Sequence, residues 1–395
     1  MIHRNFRYRL YPTAEQERQF EQFSGVCRFV YNLGLEQRRD WHRQHIRVTG
    51  RPITFASQCR ELTALRASVD WIAEVPRASQ EQALSDLDRA FVDFRSRRSG
   101  FPSPRAKGVH DTFRVKGIDT RIVGSGPKWA TVIVPKIGPV KFRLTRPVRG
   151  GIKSATIRRA PNGWHVTITC EIEHEAPSNN LPAVGIDRGV ATTLALSTGE
   201  KFSVPASLGE IERRKRRAQK ILSRRKRGSR RYAKQRQRVA RMAARMGRVR
   251  SDWQHRTSTD IARRFGAVIL EDLNTKGMTS AAGGKGRAAK AGLNRSILNQ
   301  GWYGFEVKLA YKLEERGGTL VKVNPAYTSQ TCAECGVIDA RSRESQAVFC
   351  CVACGHEDHA DTNAARNILR RNTASMLVEG ARLAPAEART TQVAA

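Results

Sequence analysis

The chain of 395 residues carries 71 lysines and arginines against 36 aspartates and glutamates, a net charge of +35 with an isoelectric point near 11.0. Such an excess repels itself in a compact fold, so it indicates a nucleic-acid partner, with a ribosomal-type structural protein as the alternative. No apolar run approaches the roughly 20 residues of a membrane span, and residues 1–10 lack the apolar core of a signal peptide. We therefore expect a cytoplasmic protein without a membrane partner.

The first hundred residues are predicted to be mainly helical after a short strand at Phe6–Tyr11. A helix should begin at Thr13, with Gln16 in the capping-box position. Two more helices are expected, one over Thr54–Arg66 and one from near Ser79 with Gln82 in a second capping box. Apolar residues recur at helical spacing in the first helix and predict its core face: Phe20, Phe23, Cys27, Val30 and Leu33.

Strand patterning follows a linker at residues 99–108 that is rich in glycine, proline, serine and arginine. The turn Pro161-Asn162-Gly163 predicts a hairpin. These strands predict a small β-barrel to which the first strand returns, followed by a polar linker at residues 173–182. The predicted strands are Trp129–Val134, Val140–Leu144, Ser154–Arg158 and Trp164–Ile172.

A second unit opens at Val184 with a short apolar strand that ends in Asp187. Ala267–Glu271 is another apolar strand that ends in an acid. Strands at 191–196, 202–204 and 319–323, an amphipathic helix at 300–316 and a helix at about 362–371 complete this unit. The tail past about residue 376 lacks periodicity and is expected to be disordered.

Between these strands, residues 213–250 contain 19 lysines and arginines by direct count. They predict one or two exposed helices. A solvated helical face is the alternative, but release of counterions from phosphates favours a nucleic-acid surface. Residues 276–292 are rich in glycine, alanine and lysine and predict a mobile loop.

Four cysteines form two C-x2-C pairs separated by 15 residues: Cys332, Cys335, Cys351 and Cys354. This spacing predicts a structural zinc site, because two such turns present four thiolates and leave no open coordination position. Cytoplasmic thiols stay reduced, so a disulfide framework is not expected. The neighbouring Cys350, His356 and His359 are left out of the ligand set. Cys27, Cys59 and Cys170 are predicted to be core residues.

Three acids have positions that suit a metal site: Asp187 and Glu271 at strand ends, and Asp361 at a helix start. Any one of them is more often a turn or capping residue, and Asp272 is as acidic a candidate as Glu271. A buried carboxylate is costly unless it is paired or binds a metal. Three that converge would suit two magnesium ions in phosphodiester hydrolysis, but periodicity does not bring them together.

Several motifs along the chain resemble the TnpB family of bacterial insertion sequences, which is similar to compact type V CRISPR effector nucleases. The residues that carry the resemblance are FRYRLYPTAEQERQF and CRFVYNLGLEQR near the N-terminus, VGIDRGVATTLALSTGE, VILEDLNTKGM, NPAYTSQTCAECG and HADTNAARNI. They run in the family's order from about residue 4 to residue 371. The resemblance implies that Asp187, Glu271 and Asp361 form a RuvC-type nuclease site holding two catalytic magnesium ions.

The resemblance also implies a multidomain α+β fold. A wedge-like β-barrel of the oligonucleotide-binding type is expected at residues 1–12 and 99–180, split by a helical recognition insert at 13–98. An RNase H-like (RuvC) α/β nuclease domain is expected at 183–328 and 356–372, with an inserted zinc ribbon at 329–355. Residues 373–395 would be a disordered tail.

The implied function is that of an RNA-guided endonuclease of a transposable element, which cuts double-stranded DNA beside a short transposon-adjacent motif. A guide RNA from the transposon end would bind the protein, expected as a monomer in the bacterial cytoplasm and associated with the nucleoid. Residues 276–292 would form a lid near the nuclease site, and residues 213–250 would lie against guide or target backbone. The alternatives are a guide-RNA-bound repressor that does not cut, a transposase that joins strands, and a zinc-ribbon scaffold protein.

Overall fold

The computed structural model describes residues 1–44, 52–124, 126, 128–280, 286–345 and 347–383. The chain divides into two compact units, Met1–His174 and Glu175–Ala395, at the polar linker that the sequence predicts. Among the described residues, no helix has the length and apolar character needed to cross a membrane. The fold is mixed α+β, with one sheet in each unit and a small hairpin in the second, which confirms the predicted fold class.

The sheet of the first unit has seven strands in the order β2-β6-β7-β1-β5-β4-β3. Its first strand lies in the middle, since residues 2–9 pair with β7 and residues 10–11 pair with β5. One strand therefore joins the two halves of the sheet. The sequence did not predict β2 and β3. The strands are β1 Ile2–Tyr11, β2 Thr112–Lys116, β3 Arg121–Gly124, β4 Trp129–Val134, β5 Gly138–Arg143, β6 Gly151–Ala160 and β7 Gly163–Ile172.

The described residues of this unit form four α-helices: α1 Ala14–Gln44, α2 Phe55–Ser68, α3 Asp70–Ala73 and α4 Arg77–Arg95. The capping box between Thr13 and Gln16 forms as predicted, with both reciprocal hydrogen bonds present. The prediction of a second capping box, near Ser79 with Gln82, was wrong. Helix α4 begins directly after Pro76, whose fixed φ suits helix entry, and Ser79 lies inside the helix.

Aromatic side chains join α1 to the sheet. The Phe20 ring lies 5.1 Å from the Trp164 ring and 5.7 Å from the Phe113 ring, centroid to centroid. Phe20 and Trp164 are almost completely buried, and the Trp164 indole N–H donates to the Glu17 carboxylate. Because buried aromatic pairs contribute beyond their area alone, this cluster fixes α1 on the sheet.

The second unit contains a five-stranded sheet in the order β10-β9-β8-β11-β12, in which β8, β11 and β12 are parallel. Val184, Ile186, Val268 and Leu270 have no solvent exposure, as expected for parallel strands covered on both faces. The strands are β8 Ala183–Asp187, β9 Leu194–Leu196, β10 Lys201–Phe202, β11 Ala267–Glu271 and β12 Thr319–Val323. A separate hairpin pairs β13 Val348–Cys350 with β14 Glu357–His359.

The helices of this unit are α5 Ser207–Ser223, α6 Arg230–Arg264, α7 Thr275–Met278, α8 Arg287–Gln300, α9 Trp302–Glu314 and α10 Ala360–Leu383. Two predictions were wrong here. The predicted loop at 276–292 is partly helical, because Ala288, Ala289 and Ala291 favour the start of α8. The predicted tail is helical to Leu383 because its sequence has no helix breaker before Pro385 except Gly380. Residues 281–285 of the loop and 384–395 of the tail lie outside the described residues.

Candidate functional site

Two of the three predicted acids lie side by side at one edge of the second sheet. Asp187 ends β8 and Glu271 ends β11, and the register pairs Leu270 with Ile186 immediately before them. Glu271 is only 6% exposed. Asp272 instead has an exposed carboxylate that pairs with Lys322 at 3.4 Å. The strand register thus buries Glu271 and exposes Asp272, two acids that the sequence alone did not distinguish.

The third acid reaches this edge through a close helix–strand contact. A Cβ atom on Gly185 would lie 2.1 Å from the carbonyl oxygen of Ala365, so only glycine lets α10 lie directly on β8. Asp361 is in the first turn of α10. After burial and the charge of Glu271, the charge of Asp361 is the third cause that raises the pKa of the Asp187 carboxyl.

The electrostatics of the three carboxyls favour a bound cation. Burial, together with the charges of Glu271 and Asp361, raises the pKa of Asp187 to about 7. Burial also raises the pKa of Glu271, against the opposing effect of a hydrogen bond that the Thr328 hydroxyl donates to it at 2.5 Å. A divalent cation would relieve this mutual repulsion, and magnesium uses one or two carboxylates together with water and phosphate. Carboxylate oxygens are the type of ligand that magnesium prefers.

A buried arginine that the sequence did not single out lies next to these carboxyls. Arg188 follows Asp187, and one end of its guanidinium donates to the backbone carbonyl of Glu271. The other end pairs with Glu306 at 3.3 Å, and Glu306 also pairs with Lys322 at 2.7 Å. This network fixes the end of β11 and so the Glu271 side chain. Only tertiary contacts reveal it.

A second cation comes from the segment between the two cysteine pairs. The Arg343 guanidinium lies 3.8 Å from the Asp361 carboxylate. Its charge offsets a small part of the rise in the pKa of Asp187 and of Glu271. No periodicity or motif in the sequence indicated this residue. The cysteine-rich segment therefore contributes a positive charge to the carboxylate cluster.

The four predicted cysteines come together, with all four sulfur atoms within 4.8 Å of one another. The Sγ atoms of Cys332 and Cys354 are 3.7 Å apart, and those of Cys335 and Cys351 are 3.6 Å apart. Four sulfurs placed tetrahedrally at Zn–S bonds of about 2.3 Å would be about 3.8 Å from one another. The cluster therefore fits zinc, and Cys350 lies outside it.

A polar side chain connects this zinc ribbon to α10. Asn363 accepts a hydrogen bond from the backbone N–H of Ala333 and donates to the Thr331 carbonyl, each at 2.8 Å. Asn363 lies two residues after Asp361. The backbone N–H of Asp361 in turn donates to His359 Nδ1 at 3.2 Å, so this histidine has a structural hydrogen bond. Hydrogen bonds at the start of α10 thus hold both the first cysteine pair and Asp361 in place.

The basic segment at 213–250 lies on α5 and α6, which we call the basic hairpin (residues 207–264). Leu208, Ile211 and Met246 form the small buried cluster between its helices. Most of its arginines and lysines are exposed, and residues 213–250 contain no acid. Their charge is therefore available to an external anion such as a phosphate backbone.

Three sequence-family models match consecutive parts of the chain. A "Helix-turn-helix domain" model of the OrfB IS605 type matches residues 1–47, a "Probable transposase" model of that type matches residues 167–282, and a "Cas12f1-like, TNB domain" model matches residues 302–368. Among the described residues, the first match covers β1 and the long helix α1.

Relatives extend along nearly the whole chain. "Putative RNA-guided DNA endonuclease InsQ" of Escherichia coli K12 is 34% identical, over 92% of this chain and 91% of that protein. A "Putative RNA-guided DNA endonuclease" of Streptomyces pristinaespiralis is 30% identical, over 95% of this chain and 90% of that protein. The fold is similar to that of Cas12f1 in its cryo-EM complex with sgRNA and target DNA, with a TM-score of 0.59 at 15% identity over 93% of this chain and 98% of that chain. The chain belongs to the TnpB family of insertion-sequence proteins.

Proposed function

We propose that this protein is an RNA-guided endonuclease of a transposable element that cuts double-stranded DNA beside a short transposon-adjacent motif. The observation that carries the proposal is the convergence of Asp187, Glu271 and Asp361 at one sheet edge, with the pKa of Asp187 raised by burial and by the charges of the other two. Two relatives that span the chain are named for this activity. A scaffold protein would have no use for mutually repelling carboxyls, which destabilise the fold.

The catalytic residues in this proposal are Asp187, Glu271 and Asp361, which would hold two magnesium ions. Bound magnesium supplies Lewis-acid stabilisation of the attacking and leaving oxygens of the phosphodiester. The protein's own groups orient this centre: Thr328 fixes the Glu271 carboxylate, and Arg188 fixes its backbone. Arg343, beside Asp361, is placed to attract the phosphate of the strand to be cut.

The two other cofactors have separate roles. Zinc on Cys332, Cys335, Cys351 and Cys354 is structural, since four protein ligands leave no position for substrate. Guide RNA from the transposon end supplies the target sequence, and the basic hairpin binds guide or target backbone through its exposed positive charge. The protein would act as a monomer with its RNA, in the bacterial cytoplasm and at the nucleoid.

The test is co-expression of the protein with the flanking transposon DNA. The RNA that copurifies is sequenced, and a plasmid with the matching target and a randomised flank is added with magnesium. We expect a discrete RNA, cutting at the matching target, and an enriched flank. Asp187→Ala should abolish cutting while RNA binding persists, whereas Asp272→Ala, beside the site but exposed, should cut normally.

Other results would replace the proposal. RNA-dependent binding without cutting would indicate a repressor. The family description "Probable transposase" favours a strand-transfer enzyme as the second candidate, and joined rather than cleaved DNA ends would indicate it. Loss of cutting in Asp272→Ala with normal cutting in Glu271→Ala would move the second catalytic role to the neighbouring residue.

A further inference from the structure

The first unit contains a cavity of about 590 Å³ beside helices α1 and α4, which the proposed chemistry does not use. Four aromatic side chains contribute to its wall: Trp41, Phe91, Phe94 and Phe101. The Phe101 ring stands edge-on to the rings of Phe91 and Phe94, with centroids 5.6 and 5.3 Å apart. Phe94 is 39% exposed and Phe101 is 50% exposed. Large aromatic side chains left open around a cavity of this size are typical of a ligand site.

The same wall contains a buried arginine. Arg38 is only 8% exposed, its Nε donates to Gln58 at 2.8 Å, and its Nη1 pairs with Asp88 at 2.9 Å. The guanidinium lies 5.2 Å from the centre of the Phe91 ring. Its Nη2, which is buried from solvent, has no hydrogen-bond partner among the described residues. The guanidinium therefore contributes a fixed positive charge behind the aromatic wall rather than a donor open to the cavity.

Three further arginines surround the cavity. Arg39 has two acidic neighbours in α1, Glu36 at 3.4 Å and Asp40 at 3.3 Å. Arg43 and Arg95 have no ion pair among the residues that the structure describes. The cavity is therefore apolar inside and positively charged at its margin. This combination matches a flat, apolar group that carries an anion.

These features distinguish between three occupants of the cavity: a second copy of this chain, a nucleic-acid duplex and an unstacked base. A second copy of this chain would bring its own charge of +35 toward the arginines, which opposes self-association. The phosphates of a duplex would use the arginines but not the recessed aromatic wall. An unstacked base uses both, since single-stranded nucleic acids bind by stacking on aromatic rings beside basic groups that follow the backbone.

We propose that this aromatic–arginine cavity binds one unstacked nucleobase of single-stranded nucleic acid. The base stacks among the phenylalanines, and Arg43 and Arg95 attract the adjoining phosphate. The source is either the bound RNA or a single strand of opened DNA, which share this chemistry. The inference rests on the proposed function only in requiring single-stranded nucleic acid at the protein.

The test uses the full chain with its copurified RNA in magnesium-free buffer, and the protein is made in cells supplied with 4-thiouridine so that the bound RNA also carries a photoreactive base. The probes are fluorescent 12-nucleotide single strands, one of RNA with 4-thiouridine and one of DNA with 4-thiothymidine, and a 12-base-pair DNA duplex. Phe101→Ala should weaken single-strand binding about five- to a hundredfold, the equivalent of one lost base–aromatic stack, and should leave duplex binding unchanged. Phe29→Ala is the matched control, because Phe29 is a 41% exposed phenylalanine of α1 that does not line the cavity.

Crosslinking of the unmutated protein gives a second readout that does not depend on the folding of a variant. Irradiation followed by mass spectrometry should find a nucleotide adduct on a cavity residue, and the sugar of that nucleotide identifies RNA or DNA as the source. Equal affinities for Phe101→Ala and Phe29→Ala, with no adduct at the cavity, would overturn the proposal. A dimer that becomes a monomer only in Phe101→Ala would overturn it in favour of contact between copies. If either of these two results is found while plasmid cutting is intact, only the cavity proposal is wrong and the nuclease function is unaffected.

Discussion

Replacing Asp187 with asparagine should stabilise the magnesium-free protein, and by more at pH 8 than at pH 5. The pKa of this carboxyl is about 7 in the folded protein, against 3.8 for the unperturbed group. The folded protein thus binds the proton more tightly than the unfolded chain, so ionisation opposes folding. This destabilisation is absent below pH 3.8, grows as the pH rises toward 7, and is complete above 7.

The size of the effect follows from the shift. At 1.36 kcal/mol per pKa unit, ionisation of Asp187 lowers the free energy of unfolding by about 1.7 kcal/mol at pH 5 and about 4 kcal/mol at pH 8. Asparagine has the same shape and no charge, so it removes this loss at both pH values. The stability difference between the variant and the parent should therefore widen by about 2.5 kcal/mol from pH 5 to pH 8. In a unit of this size that corresponds to a further 5–10 °C, roughly, in melting temperature.

The assay is calorimetric melting in buffer without magnesium and without chelators, so that zinc stays in place. Asp272→Asn is the control, because this exposed neighbour should shift the melting temperature little at either pH. Magnesium at a hundredfold excess over its dissociation constant should stabilise the parent by about 2.7 kcal/mol and Asp187→Asn by much less. An equal difference in melting temperature at pH 5 and pH 8 would refute the reasoning that the clustered carboxyls destabilise the fold.

Three other predictions concern the supports of the site. Thr328→Val removes the hydroxyl that donates to Glu271, so single-turnover cutting should slow at least about tenfold while RNA affinity holds; an unchanged rate would show that the bond is dispensable. Cys335→Ser should lose zinc, measured by metal analysis, and melt at lower temperature, whereas Cys350→Ser should keep both; zinc retained in the first variant would contradict the ligand set. Glutamine in place of four exposed cations of the basic hairpin should lower the slope of log affinity against log salt by about 3–4, and an unchanged slope would remove the hairpin from the interface. These four are Arg213, Arg217, Lys220 and Arg224.

Local patterns predicted the parts of the fold in which neighbouring residues decide the structure. The apolar runs that end at Asp187 and Glu271 are strands, and the Thr13 capping box starts α1 as predicted. The glycine-rich composition of residues 276–292 led to the wrong prediction of a loop, because the alanines beside the glycines favour helix α8. Ser79 misled because Pro76 starts the helix three residues earlier.

The candidate site depends on contacts that no local pattern encodes. Strand register, not composition, turns Glu271 inward and leaves Asp272 in solvent. Arg188 meets Glu306 across 118 residues of sequence, and Arg343 meets Asp361 from the ribbon. Gly185 is the one site feature that a local pattern does indicate. A glycine within an apolar strand is typical of a close approach by another backbone, and here α10 makes that approach.

The central place of β1 in the first sheet has a consequence for synthesis on the ribosome. Ile2 pairs with Ile172, so the strand must wait for a partner that lies 170 residues further along the chain. At typical translation rates of about 5–20 residues per second, β1 would remain unpaired for on the order of ten to thirty seconds. Its outward-facing residues during that interval include Arg7 and Arg9, charges that discourage pairing with other nascent chains. The helices from α1 to α4 emerge within the same interval, so they can fold before the sheet that later holds them.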